Sequence, residues 1–78
     1  MPTLKMSALG IAQNLADKLE KKPMEDYNAE YVAFVVRTAL ISTLGNVSSV
    51  SATWNAKRNC WEGNLDYLGK NNHWVITE

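Results

Sequence analysis

The hydrophobic period of this chain changes at Gly45, and that change limits the folds open to it. Before Gly45, apolar residues recur every three to four positions, as on one face of an α-helix. After Gly45 they recur at every second position, as in a half-buried β-strand. The 78 residues allow one small domain, spanning residues 1–78. Helices followed by strands within one domain indicate an α+β fold.

The first helix is predicted over residues 4–22, which have an amphipathic pattern. Its N-cap is either Thr3 or Ser7, and the second choice leaves residues 3–6 extended. The apolar residues that share one broad arc of this helix are Leu4, Ala8, Leu9, Ile11, Ala12, Leu15, Ala16 and Leu19.

The second helix is predicted over Asn28–Leu44, with the Asn28 side chain as its N-cap and Gly45 at its C′ position. Phe34 and Ile41 lie beside Glu30 and Arg37, nearly opposite a wide apolar arc that comprises Val32, Ala33, Val35, Val36, Ala39 and Leu40. A helix with apolar residues on two sides is contacted on two sides. The second contact is either the first helix or a partner protein.

Three strands are predicted after Gly45, because apolar and polar residues alternate along three segments. Turn-forming residues separate these segments at 55–59 and 69–72. Keeping like faces together pairs Tyr67 with Trp74 in the second hairpin. The inner face then comprises Val50, Ala52, Trp54, Trp61, Leu65, Tyr67, Trp74 and Ile76.

The fold predicted from these elements is two N-terminal helices packed on one face of a three-stranded antiparallel β-meander, in the order ααβββ. The helices cover the aromatic inner face of the sheet. Gly63 lies among large side chains on that face, so we expect it to make room for a tryptophan or to mark a bulge.

Charge and composition narrow the classes of partner. Eight basic residues balance eight acidic ones, so no global field draws the chain to nucleic acid or to an anionic membrane, and a neutral chain associates readily. The longest apolar run, residues 31–36, is far shorter than the roughly 20 residues that span a bilayer. A lone cysteine, Cys60, and a start unlike a signal peptide indicate the cytoplasm.

The sequence contains no set of residues spaced as a catalytic or metal-binding site requires. Cys60 and His73 could form a thiol nucleophile and its base, but the predicted register separates them by about 26 Å, against the 3 Å that catalysis requires. Glu62 and Asp66 lie about 13 Å apart along one strand, too far for a glycosidase pair. We therefore expect no enzymatic activity, no catalytic residue, no metal and no cofactor.

A protein-interaction module is the function that remains best supported. Leu68 and Val75 lie near each other on the outer sheet face in the predicted register, and a small sheet with open edges is a common platform for another chain. The partner is an unidentified protein or a second copy. Small proteins that act as adaptors or inhibitors in this way are often encoded by phages and other mobile elements. The candidate partner-binding residues are Arg37, Lys57, Arg58, Leu68, Lys70, His73 and Val75.

Weak binding of single-stranded nucleic acid is the alternative. Lys57, Arg58 and Lys70 all lie at predicted hairpin tips, and tryptophans near basic residues are typical of surfaces on which bases stack. The neutral net charge and the inward orientation of the three tryptophans count against this alternative.

Overall fold

In a computed structural model, which describes residues 1–78, the chain forms one five-stranded antiparallel sheet and one long helix. The strand order across the sheet is β2-β1-β5-β4-β3. The elements are β1 (Thr3–Met6), β2 (Ile11–Asn14), a one-turn helix α1 (Ala16–Leu19), the long helix α2 (Ala29–Leu44), β3 (Thr53–Asn55), β4 (Cys60–Tyr67) and β5 (Lys70–Thr77). Short 3₁₀ turns occupy Ser7–Leu9 and Met24–Asp26.

The predicted ααβββ fold is wrong, because most of the predicted first helix is a β-hairpin. Residues 3–6 are extended, as the Ser7 alternative allowed, but no long helix follows them. Leu4 and Met6 are buried and Lys5 is exposed, so this segment alternates with a period of two. Gly10 then turns the chain with a φ of 66°, a left-handed conformation that glycine adopts without strain.

The N-terminal hairpin is held by the opposite end of the chain. β1 pairs with β2 on one side and with β5 on the other, where Thr3 lies opposite Thr77. The three-stranded meander of the prediction is therefore only part of the sheet. β5 is its central strand, and the open edges are β2 and β3.

The predicted second helix is confirmed as α2. The Asn28 side-chain oxygen accepts a hydrogen bond from the Tyr31 backbone N–H at 3.0 Å, which satisfies one of the free donors at the helix N-terminus. Gly45 ends the helix with a φ of 89°, and its N–H donates to the Ile41 carbonyl. α2 has 16 residues, and no helix of the structure is both long and apolar enough to cross a membrane.

The predicted register of the second hairpin is wrong by four residues. Tyr67 pairs with Lys70 instead of Trp74, and the turn consists of Leu68 and Gly69 alone. Both turn residues have positive φ, 53° and 76°, which is the backbone of a two-residue turn that matches the twist of a hairpin. Because the shift is an even number of residues, every side chain keeps its predicted face.

The strand predicted before Trp54 is interrupted by a bulge. Ser48 exchanges two backbone hydrogen bonds with Asp66, whereas Ser51 donates to Asn64. One extra residue therefore lies between Ser48 and Ser51 on this side of the ladder, and Ser49 has a φ of 54°. Regular pairing starts at Thr53, so β3 is only three residues long.

The predicted inner face is confirmed as the side of the sheet that packs against α2. Trp61, Leu65, Trp74 and Ile76 are buried in one cluster with the inward side chains of β1 and α2, and the other predicted members pack against it at the periphery. Gly63 does make room for a tryptophan. A Cβ there would lie 2.8 Å from Trp74 Cζ2 and would overlap the Ser51 carbonyl oxygen.

Candidate functional site: the outer face of α2

The outer side of α2 carries large apolar side chains that nothing covers. Its inner side packs into the core through Val32, Val35, Val36 and Leu40. On the opposite side, Phe34 is 63% exposed and Ile41 is 45% exposed. Of the predicted first helix, which was one of their expected contacts, only the single turn α1 is α-helical, and it leaves both side chains exposed. We define the α2 face as Glu30, Tyr31, Phe34, Arg37, Thr38 and Ile41.

Hydroxyl groups on the α2 face are already engaged within the chain. The Thr38 hydroxyl donates to the Phe34 carbonyl at 2.8 Å. The Tyr31 hydroxyl donates to the Lys18 carbonyl at 3.1 Å. Covering these groups would therefore leave no hydroxyl donor unpaired, so the desolvation cost of an interface here is small.

The α2 face carries one acidic and one basic residue. Glu30 and Arg37 are the only charged residues of α2, both are exposed, and neither forms an ion pair within the chain. A hollow of about 240 Å³ lies beside Phe34, between these two charges, with Ala33 and Val50 in its lining. The face therefore has an apolar centre, with one negative and one positive side chain on the same flank.

A groove of about 480 Å³ borders the other flank of the α2 face. It separates α2 from the segment that runs from the end of β2 through α1. The Tyr31–Lys18 hydrogen bond crosses it, and the Thr43 hydroxyl also joins α2 to β2, at 3.5 Å from Gln13 Oε1. Phe34 lines both this groove and the smaller hollow, so its ring stands between two concave surfaces.

Leu68 and Val75 are not neighbours, contrary to the prediction. Leu68 lies in the β4–β5 turn and is 81% exposed. Val75 lies on the central strand, flanked on the outer sheet face by Lys5 and Glu62. The two apolar residues are separated by six positions along the hairpin, on the order of 20 Å. They do not form a common docking surface.

The predicted position of His73, opposite Leu68, is also wrong. His73 pairs with Asn64, and its Nε2 lies 3.6 Å from Glu62 Oε1 on the outer sheet face. Cys60 is four positions from Asn64 on β4, about 13 Å away, and it is buried. That separation is still too long for a nucleophile and its base. No three His, Cys, Asp or Glu side chains cluster as metal ligands would.

The basic residues of the hairpin tips do not form one surface. Lys57 and Arg58 lie in the β3–β4 turn, where Asn55 Oδ1 accepts their backbone N–H groups at 3.1 and 3.2 Å. Lys70 opens β5 at the other end of the eight-residue strand β4, roughly 25 Å away. Arg37 is on neither tip; it lies on the α2 face.

Sequence reasoning singled out Phe34, Arg37 and Ile41 and placed Glu30 beside them. It missed Tyr31 and Thr38 as parts of the same face. The sequence did contain a signal for the full face. α2 has 16 residues but only two charged ones, and the solvent-facing side of a surface helix normally carries more. Hydrophobicity alone did not identify Tyr31 and Thr38, whose hydroxyls are satisfied only in the folded chain.

Comparison with known proteins found no significant match to any family model, curated protein or solved structure.

Proposed function

We propose that this chain is a small non-enzymatic protein-interaction module, an adaptor or inhibitor that acts by occupying the surface of a partner protein. The observation that carries the proposal is the exposure of Phe34 and Ile41 on the outer side of the only long helix. Contiguous apolar surface of this kind is characteristic of interaction sites.

Phe34 is the anchor of the proposed site. Aromatic residues dominate binding energy when they stand at the centre of a patch and enter a pocket on the partner. Phe34 has concave surface on both sides, so a partner can surround the ring and remove its exposed area from water. The internal hydrogen bonds of Tyr31 and Thr38 favour the same use of the face.

The cytoplasm is the proposed compartment. Its support is the lone cysteine, Cys60, which is free and buried and so contributes no disulfide to a secreted scaffold.

Weak nucleic-acid binding is the less favoured alternative. The basic tips lie at opposite ends of β4, and two of the three tryptophans, Trp61 and Trp74, are buried and so offer no exposed ring for bases.

The proposed site is tested by two substitutions on the α2 face. Phe34→Ser and Ile41→Ser in the tagged full-length chain are expected to lose a protein that the parent captures from the source cells. The captured protein is then purified, and its affinity for each variant is measured by calorimetry. For an anchor residue we expect Phe34→Ser to weaken binding by about 30-fold or more.

The matched control is Leu68→Asn, which removes a still more exposed apolar side chain outside the α2 face. It is expected to bind the purified partner as the parent does. Equal affinity of the parent and Phe34→Ser would overturn the site. Loss of binding in Leu68→Asn alone would move the site to the hairpin turn.

A further inference from the structure

We infer that the α2 face binds a second copy of this chain, with the two α2 helices antiparallel about a two-fold axis and Glu30 of each copy paired with the partner's Arg37. This inference rests on the proposed function, because it uses the same face and names a second copy as one protein that binds there. Self-pairing is indicated by the arrangement of charge on α2.

Glu30 and Arg37 are placed so that the helix complements itself. They are seven residues apart, so they lie on the same flank of α2, separated by about 10 Å along its axis. When two helices pack antiparallel, identical flanks face each other, as in the charged positions of coiled coils. A register that places Glu30 opposite the partner's Arg37 also places Arg37 opposite the partner's Glu30. Both charges, unpaired in the single chain, then find partners.

The same register brings the apolar centre of the face to the symmetry axis. The axis passes midway between Glu30 and Arg37, at the level of Ala33 and Phe34. Because identical flanks face each other, each Phe34 ring then meets the Phe34 ring of the other copy across the axis. The hollow of about 240 Å³ that Ala33 and Val50 line lies beside this contact on each copy. The contact is isologous, so one ring on each chain is sufficient.

The size of the face indicates a reversible dimer. From Glu30 to Ile41 the face extends about 16 Å along the helix, on a molecule with 4816 Å² of accessible surface. An interface of this length lies at the low end of specific interfaces, where micromolar affinities are usual. The zero net charge of the chain adds no long-range repulsion between copies.

Charge reversal and its rescue test the pairing. The full-length parent, Glu30→Arg, Arg37→Glu and the double variant are compared by sedimentation velocity across a concentration series. Each single reversal creates two like-charge contacts across the axis, so we expect it to weaken dimerisation about tenfold or more. The double variant exchanges the charges and restores both pairs, and it should dimerise about as well as the parent.

Lys57→Glu is the control, because it reverses a charge at the β3–β4 tip, outside the face, and is expected to leave dimerisation unchanged. Thermal melting confirms that each variant is folded. A parent that stays monomeric at millimolar concentration overturns the dimer, while the proposed function stands if Phe34→Ser still loses a purified partner. A dimer that the double variant fails to restore overturns the antiparallel pairing.

Discussion

Two tryptophans are buried in the core of this small protein, and they differ in whether the indole N–H is hydrogen-bonded. The Trp61 side chain is only 3% exposed, and its indole N–H donates to the Met24 carbonyl at 2.7 Å. It therefore ties the turn before α2 to the sheet. Trp74 is fully buried against Gly63, and its indole N–H has no partner. Trp61 thus contributes both packing and a hydrogen bond, whereas Trp74 contributes packing alone.

Truncating Trp61 is expected to remove much of the stability of the molecule. Trp61→Ala should lower the free energy of unfolding by about 3 to 5 kcal/mol, because it leaves a cavity. It also leaves the Met24 carbonyl without its donor. Trp54→Ala is the control, since Trp54 lies on the same face but is only half-buried, and we expect it to cost less. Urea titration followed by circular dichroism measures both. Unchanged unfolding of Trp61→Ala would contradict the burial of this ring.

At the scale of single elements, the β4–β5 turn contains an unfavourable residue. Leu68 has a φ of 53°, in the left-handed region where a branched side chain is strained, and its side chain packs against little. Asparagine followed by glycine is the preferred sequence for such two-residue turns. Gly69 is already in place. The turn is therefore set by the pairing of the strands on either side of it, against the preference of Leu68.

Replacing this residue should stabilise the protein. Leu68→Asn is expected to raise the free energy of unfolding by about 0.5 to 1 kcal/mol, since asparagine tolerates positive φ. For a domain of this size that corresponds to an increase in melting temperature of roughly 2 to 8 °C. Leu68→Ala is the control: it removes the same exposed side chain but keeps the strained backbone, so no gain is expected. Equal melting of Leu68→Asn and Leu68→Ala would show that the turn is not the two-residue turn described.

At the scale of the whole molecule, β1 pairs with β5 and so holds the N-terminal end of the chain against the C-terminal end. The Leu15 N–H donates to the Pro2 carbonyl at 2.8 Å, which sets the alternation of hydrogen bonds between β1 and β2. By that alternation Leu4 bonds toward β2, and Lys5 directs its backbone groups toward Val75 on β5. The side chain of Lys5 is exposed on the outer sheet face. Lys5 therefore contributes to the fold through its backbone.

A proline at this position separates the two possible structures of the N-terminus. Lys5→Pro removes a donor in the interior of the sheet and should destabilise the protein by about 3 kcal/mol or more. In a helix beginning near residue 4, proline in the first turn would be tolerated. Lys5→Thr keeps the N–H and should melt within a few degrees of the parent. A stable, folded Lys5→Pro variant would contradict the placement of β1 between β2 and β5.

Most of what was predicted correctly depends on interactions that are local in sequence. Asn28 caps the helix that it precedes, and Gly45 ends the same helix. The inner face of β4 and β5 follows from alternation with a period of two. Its predicted side chains were therefore correct although the predicted register was wrong by four residues. The apolar residues opposite the core side of α2 were also visible in the pattern, and these are the centre of the candidate site.

By itself, then, the sequence determined α2, its caps, and which side chains of the C-terminal strands enter the core. Only the tertiary structure decided that residues 3–14 form a β-hairpin, that β5 is central, and that Phe34 and Ile41 remain exposed. The apolar residues of 4–19 fit a helical arc, and their pairing partner, β5, lies at the far end of the chain. Strand formation depends on such a partner, so a local pattern could not reveal it. Once those residues formed a hairpin, only the one-turn helix α1 remained beside α2, and it leaves Phe34 and Ile41 exposed.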